Sequence, residues 1–449
     1  MLRNDYKQSA ERLLTMLAVF PTGTTLDSLW MRDFRDLGPC IESLLDTSLI
    51  EKRNDTHLVH PLISSYILDK SRLCADAVTV MVDTACQFLK QNQSLPGDKT
   101  FGDNNKALQG EEMNLQAILF AATCKDARLL EGLLILARHH RATRPRTEVA
   151  GYAVEMAREI QCDKKLLAEA LFCCGINLAG LEHHEESRKA LEQARETFLS
   201  VADGARAAQC LLEIVESQTY IKADGFEMKD RVVEQAKSEF ESLSDRSGIG
   251  RSLYWSGVVH WQAMLYSRAC KLLLEAETTL EDQPLYLAHC SFALSCVYFG
   301  TGDYDQGCTA GERAIAQYEQ IGYGEYEVRV QHIIGIEYIA KGKYDDALVI
   351  LSAALEKFKL WGGPLSIAQV WLEMGRAWIK TGQREDAQDA IQTSLDVLST
   401  AQPSDSREYA VLRSQFYLRW LDDPQSTPSD DERKALDSFN HLSNFSLVV

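Results

Sequence analysis

Apolar residues along most of the chain fall at three- and four-residue intervals with polar residues between them, the spacing of one face of an α-helix. The stretch Gly335–Phe358, GIEYIAKGKYDDALVILSAALEKF, shows the unit in full. One apolar run ends at Gly342, Tyr344-Asp345-Asp346 opens the next segment, and Ala347, Leu351 and Ala354 form a second stripe. The pattern predicts two amphipathic helices joined by a tight turn.

The unit returns. Small residues equivalent to Gly335 stand at Gly375, Ser295, Gly257, Ser217 and Gly175, in steps of 38 to 42 residues. A large residue usually follows three later (Leu178, Tyr220, Tyr298, Tyr338, Trp378), and a small one usually stands twelve later, as at Ala269 and Ala347. A small anchor lets two helix backbones approach closely, and the large residue one turn on fills the space beside it. Gly302, Gly342 and Gly382 fall where the first helix of a unit must stop, so a left-handed conformation is expected there.

This pattern resembles the tetratricopeptide repeat, although the period is near 40 rather than the usual value of about 34. Six units run from about residue 166, a degenerate one at Leu129–Glu159 precedes them, and Arg407–Leu421 opens a seventh. The Ser217 unit is the weakest, with KADGFEMKD as an extended connection, and Glu432–Leu442 reads as a cap. Stacked hairpins of this kind bury a continuous core and curve into a superhelix.

The first 70 residues have another rhythm. A helix ends at Pro21, a short helix starts at Thr25, and LGPCIESLLDTSLIEK is a third helix entering a strand. RNDT is a hairpin tip, and HLVHPLISSYILDKS returns as strand and helix, the order of a winged helix. The expected organisation is a mainly all-α chain: a winged-helix domain at 1–70, a helical spacer at 71–125, and a tetratricopeptide-like superhelix with a C-terminal cap at 126–449.

Charge narrows the partners. The 449 residues carry 65 acids against 47 Lys and Arg, a net charge of −18, whereas nucleic acids and anionic membranes demand clustered cations. The third helix of the winged-helix segment holds Glu42 and Asp46 and no basic residue before Lys52, the wrong sign for a major groove. No run of 18 apolar residues and no signal peptide occur, so a cytoplasmic protein without membrane partner is expected. The 12 cysteines show no Cys-x-x-Cys spacing and read as reduced thiols. His183–Glu186 and His139–His140 read as polar residues rather than metal ligands, and no catalytic arrangement, cofactor site or metal site is assignable.

LLTMLAVFP, LLDTSLIEK and HLVHPLISSYIL resemble the winged-helix segment that follows the nucleotide-binding domain in STAND-type ATPases, the NB-ARC family of sensors. In that family an E-x-x-N-L-x-x-x-L spacer often leads into tetratricopeptide repeats, and GEEMNLQAILFAA, Gly110–Ala122, matches it. The resemblance implies the sensing half of a signal-transducing protein, with a nucleotide-binding domain as its missing partner. The family's Gly-x-x-x-x-Gly-Lys-Ser/Thr phosphate loop is absent from this sequence. His60 stands where the family's Met-His-Asp signature places a histidine beside bound nucleotide, but the triplet here is Val59-His60-Pro61. Without a nucleotide domain, His60 is expected to be tucked between wing and helix.

In tetratricopeptide repeats the first helix of each hairpin lines the concave groove, with positions −6, −3, +1, +4 and +5 from the anchor. Across seven helices Glu169 is the only acid at these positions, while Lys222, Arg251, Arg329, Arg376, Lys380 and Arg419 are basic. Lys222, Lys380 and Arg419 lie at helix C-termini, where the macrodipole favours cations. Arg251, Arg329 and Arg376 escape that explanation, and Tyr254, Trp261, His289, Phe292, Phe299 and His332 fall beside them. Arginine among aromatics is the composition of binding hot spots. The leading expectation is therefore a peptide or protein segment of acidic character held in the groove. A free-standing scaffold or adaptor is the alternative, with a DNA-binding regulator third.

Overall fold

The computed structural model describes residues 6–32, 34–69, 75–181, 183–218, 225–361, 363–401 and 405–438. The helices begin with α1 (Lys7–Val19), α2 (Leu37–Asp46), α3 (Pro61–Asp69), α4 (Ala75–Asn92), α5 (Phe101–Phe120), α6 (Ala127–Ala142), α7 (Glu148–Glu159) and α8 (Lys164–Gly180). They continue with α9 (His184–Ser200), α10 (Gly204–Gln218), α11 (Phe226–Ser242), α12 (Arg246–Gln262), α13 (Tyr266–Thr279), α14 (Pro284–Thr301) and α15 (Tyr304–Gln320). Then follow α16 (Gly324–Ala340), α17 (Tyr344–Trp361), α18 (Pro364–Thr381), α19 (Arg384–Ser399), α20 (Asp405–Asp422) and α21 (Asp430–Ser438). Strands β1 (Ile50–Arg53) and β2 (Thr56–Val59) form an antiparallel hairpin between α2 and α3. The chain divides into two compact units, Met1–Ser94 with Asp103–Leu181, and Leu95–Gly102 with Glu182–Val449.

In the first unit α1 packs on α2, α3 and α4, burying Leu13, Leu17, Leu44 and Met81. Thr24 adds an isolated bridge to His57 at the edge of the β-hairpin. The short helix expected from Thr25 is not formed. Successive turns replace it, with Ser28 N–H donating to Thr25 O, Met31 N–H to Ser28 O and Phe34 N–H to Met31 O. Tertiary contacts hold this stretch: the Trp30 ring lies 5.6 Å from Phe20 and its Nε1 donates to Glu111 Oε2 at 2.9 Å.

The spacer motif explains itself here. Asn114 on α5 is 3% exposed; its Oδ1 accepts from Thr22 Oγ1 at 2.8 Å, and its Nδ2 donates to Gly23 O at 3.3 Å and Glu111 Oε2 at 3.0 Å. Leu115 and Leu119 are fully buried. The Glu-x-x-Asn spacing, about one helical turn, thus clips the turn after α1 onto α5. The Glu112 carboxylate, between them, lies 3.0 Å from Arg146 Nη1, 3.3 Å from His140 Nε2 and 3.9 Å from His139 Nε2. Burial pushes its carboxyl up, but the neighbouring His139, His140 and Arg146 outweigh that and hold it well below the usual range. His139 and His140 are both buried beside this carboxylate.

In the second unit the hairpins α10–α11, α12–α13, α14–α15, α16–α17 and α18–α19 follow one plan. A Cβ on Gly257 would come within 2.7 Å of Leu273, one on Gly335 within 2.5 Å of Leu351, and one on Gly375 within 2.6 Å of Ile391. Where the anchor is Ser295, the partner at the same offset is Gly311, whose added Cβ would meet Ser295 Oγ at 3.1 Å. The close approach is kept and the side chain changes sides. Gly302, Gly342 and Gly382 all have positive φ at the end of the first helix, as expected, and Met264 (φ 59°) occupies the same place in the Gly257 unit. Tyr220 and Lys222 of the Ser217 unit lie outside the described residues.

Candidate functional site

Helices α10, α12, α14, α16, α18 and α20 each also touch the neighbouring member of this series, past the helix that lies between them in the chain. They are the inner layer of the second unit, since the inner side of a curved stack brings alternate helices together. The sequence-predicted residues lie on it, at two depths. At −3 from each anchor, Tyr254 is 2% exposed, and Phe292 and His332 are fully buried. These side chains fill the layer, so Phe292 and His332 are core residues, not groove residues. The reason is helical phase: the +1 residues Val258, Cys296 and Ile336, one turn further on, are buried on the same face. Trp261 is also buried. At −6, Arg251, His289 and Arg329 are half-buried, and Phe299 is half-buried near the end of α14.

Apart from Phe299, whose ring lies against Tyr304, these half-buried residues sit around a tyrosine cluster centred on His289. Its ring stacks on Tyr254 at 5.9 Å, meets Tyr286 at 5.6 Å and Tyr326 at 4.9 Å, and its Nδ1 lies 2.5 Å from Tyr318 Oη. The Arg329 guanidinium lies over the Tyr326 ring at 5.0 Å, and that of Arg251 over Phe240 of α11 at 5.4 Å. Burial pushes the Tyr286 hydroxyl up to about 12, with the nearby Arg251 opposing it. The result is a patch of hydroxyls, an imidazole and two guanidinium groups on an aromatic base across α12, α14 and α16.

Tyr286 and Tyr326 were not among the expected residues. Their signal is legible in hindsight as Tyr-x-x-His at Tyr286–His289 and Tyr-x-x-Arg at Tyr326–Arg329. Nor is the neighbourhood free of acids: Glu213 and Glu216 of α10 act on Tyr286, and Glu216 acts on Tyr254 as well. Arg376 stands apart from the patch. It pairs with Glu373, which is fully buried, and Arg413 of α20 joins the same carboxylate at 2.8 Å.

No protein-family model matches the chain, and no curated protein matches its sequence. Its fold does match solved structures. The apo form of the quorum sensor NprR from B. thuringiensis is 12% identical, with a TM-score of 0.52 over 83% of this chain and 99% of that one. The repeat fold is tetratricopeptide-like. NprR in complex with its cognate peptide NprX is 12% identical, with a TM-score of 0.47 over 82% and 99% of the two chains. A STAND protein with a tetratricopeptide repeat sensor, PH0952 from Pyrococcus horikoshii, is 13% identical with a TM-score of 0.45, matching 88% of this chain and 64% of that one. Within the tetratricopeptide-like unit, the Tyr286–His289 and Tyr326–Arg329 steps occupy equivalent positions of consecutive hairpins.

His60 departs from expectation. It is exposed rather than tucked in, and its Nδ1 accepts from Leu62 N–H at 3.3 Å while its carbonyl takes Ile63 and Ser64 N–H. In this chain it caps the N-terminus of α3. Among the described residues no helix is long and apolar enough to cross a membrane.

Proposed function

We propose that the protein is a non-catalytic binding module that takes a peptide or protein segment on the inner face of its tetratricopeptide-like repeats. The observation that carries this is the pair of steps Tyr-x-x-His and Tyr-x-x-Arg on adjacent inner helices, with His289 and Tyr326 in ring contact between them. Tyrosine and arginine supply large contact area together with hydrogen bonds, the profile of binding hot spots. A guanidinium already laid on an aromatic ring is pre-organised for a carboxylate. In this reading an acidic residue of the ligand meets Arg329 on α16, and Glu213 and Glu216 of α10 favour a basic group or free amine at the other end. The likeness in fold to a quorum sensor agrees with a sensing role.

A second reading is that the chain is the sensing half of a STAND-type switch. The Glu111–Asn114 motif favours it, because it joins the N-terminal elements to α5 through side-chain hydrogen bonds. A nucleotide-binding domain would then be the partner, and this chain alone is expected to show no ATP binding by calorimetry.

Selection from a random peptide library against the purified protein tests the main reading. Acidic sequences should be enriched, and the enrichment should disappear with Arg329→Glu or Tyr286→Ala. Equal recovery on the wild type and on both variants would remove the reading.

A further inference from the structure

Two glutamates on neighbouring inner helices are both fully buried, Glu373 on α18 and Glu337 on α16. Their surroundings differ. Glu373 is an ion among ions, held by Arg376 and Arg413. Glu337 has no such partner. Ser295 Oγ of α14 donates to its Oε1 at 2.9 Å, Cys308 of α15 hydrogen-bonds to the carboxyl, and Oε2 has no partner. The backbone of α15 is pressed against it: a Cβ on Gly307 would lie 3.0 Å from Oε1.

The groups around the carboxyl do not supply a counter-charge. From α14 it faces the Cys296 thiol, and from α15 the Cys308 thiol. Lys341, just past the end of α16, acts on it only from a distance and gives its ammonium to Asp305 of α15. Glu312 of α15 and Asp346 of α17 act on Tyr338, and Glu373 of α18 is engaged with its own arginines. A buried carboxyl in such a place favours its neutral, protonated form, and burial pushes Glu337 up to about 7 although the Ser295 and Cys308 hydrogen bonds favour the ionised form.

The same two helices build the candidate site. Towards their N-termini α14 carries Tyr286 and His289, and α16 carries Tyr326 and Arg329; towards their C-termini Ser295 meets Glu337. We propose that Glu337 and Ser295 form a proton-operated joint between α14 and α16, dry and closed when the carboxyl is neutral, and opened to water when it ionises, because a buried carboxylate without a counter-ion costs more than its hydrogen bonds from Ser295 and Cys308 return. The joint sets how His289 and Arg329 are presented to a ligand. That consequence rests on the peptide-binding reading; the joint itself does not.

Hydrogen exchange of the ligand-free protein at pH 6 and pH 8.5, corrected for intrinsic rates, tests the joint. Amides of α14 and α16 should lose protection about tenfold at the higher pH in the wild type, and Glu337→Gln should abolish the difference. Unchanged wild-type protection, or an equal loss in Glu337→Gln, overturns the proposal. Should the variant fail to fold, infrared difference spectra of the wild type serve instead. A buried carboxylic-acid carbonyl band must be present at pH 6 and lost by pH 8.5, and its absence at pH 6 is equally fatal. A peptide recovered by selection should bind more weakly at pH 8.5 than at pH 6 in the wild type only. Affinity independent of pH, alongside pH-dependent protection, would overturn the coupling to the site and leave peptide binding intact.

Discussion

Leu351 of α17 occupies the space a side chain on Gly335 of α16 would need: an added Cβ would lie 2.5 Å from Leu351 Cδ2 and 2.6 Å from Cγ. Leu351 is fully buried among Ala347, Ala354 and Phe358 and has little room to move. Gly335→Ala gains about 1 kcal/mol of helix propensity but overpacks the hairpin at a cost of about 1–3 kcal/mol. A net loss in denaturant midpoint is expected, and Leu351→Ala should cost less in the Gly335→Ala background than in the wild type. Additive losses in that double-mutant cycle would show that the two residues do not compete for one space.

The Glu373–Arg413 pair ties α18 to α20 at 2.8 Å with both side chains buried. Burial pushes the Glu373 carboxyl up, and the guanidinium groups of Arg376 and Arg413 outweigh it, so the group stays ionised. Arg413→Met should destabilise by about 3–5 kcal/mol because a buried charge loses a partner. Glu373→Gln combined with Arg413→Met should recover part of that loss. Thermal melts of the two variants beside the wild type measure both effects.

Lys229 stands on α11 at the position where the other hairpins place Ala269, Gly307, Ala347 and Ala387. It is 4% exposed, its Nζ donates to Gln262 Oε1 at 3.3 Å, and burial pushes its ammonium down to about 8. A depressed lysine carries its full penalty below pH 8, and the penalty fades as pH rises towards the ordinary value near 10.5. Lys229→Met should therefore stabilise the protein at pH 7 by up to about 3 kcal/mol, and the advantage should shrink between pH 8 and 10. Melting curves of the two proteins across that range give the answer directly.

Asn114→Ala removes the hydrogen bonds to Thr22, Gly23 and Glu111. Unpaired groups left in a buried site cost about 1–3 kcal/mol, and the Trp30–Glu111 contact beside them should loosen. A lower urea midpoint and a shift in tryptophan emission are expected. A midpoint within error of the wild type would reduce the motif to a surface feature.

The repeat was legible in the sequence because close helix packing demands small residues at fixed intervals, and Gly257, Gly335 and Gly375 report that demand without reference to distant contacts. The left-handed stops at Gly302, Gly342 and Gly382 follow from local backbone sterics in the same way. The site was legible only in part. Position along a helix placed Arg251, His289 and Arg329 on the inner layer, but a few tens of degrees of helical phase separate a lining residue from a core residue. That phase is set by neighbouring helices, which bury Phe292 and His332 and leave Tyr286 half-buried. The protonation states of the glutamates were beyond sequence altogether. Glu337 and Glu373 are the same residue type on successive inner helices, and only the tertiary fold brings Arg413 to one and leaves the other with a hydroxyl and a thiol.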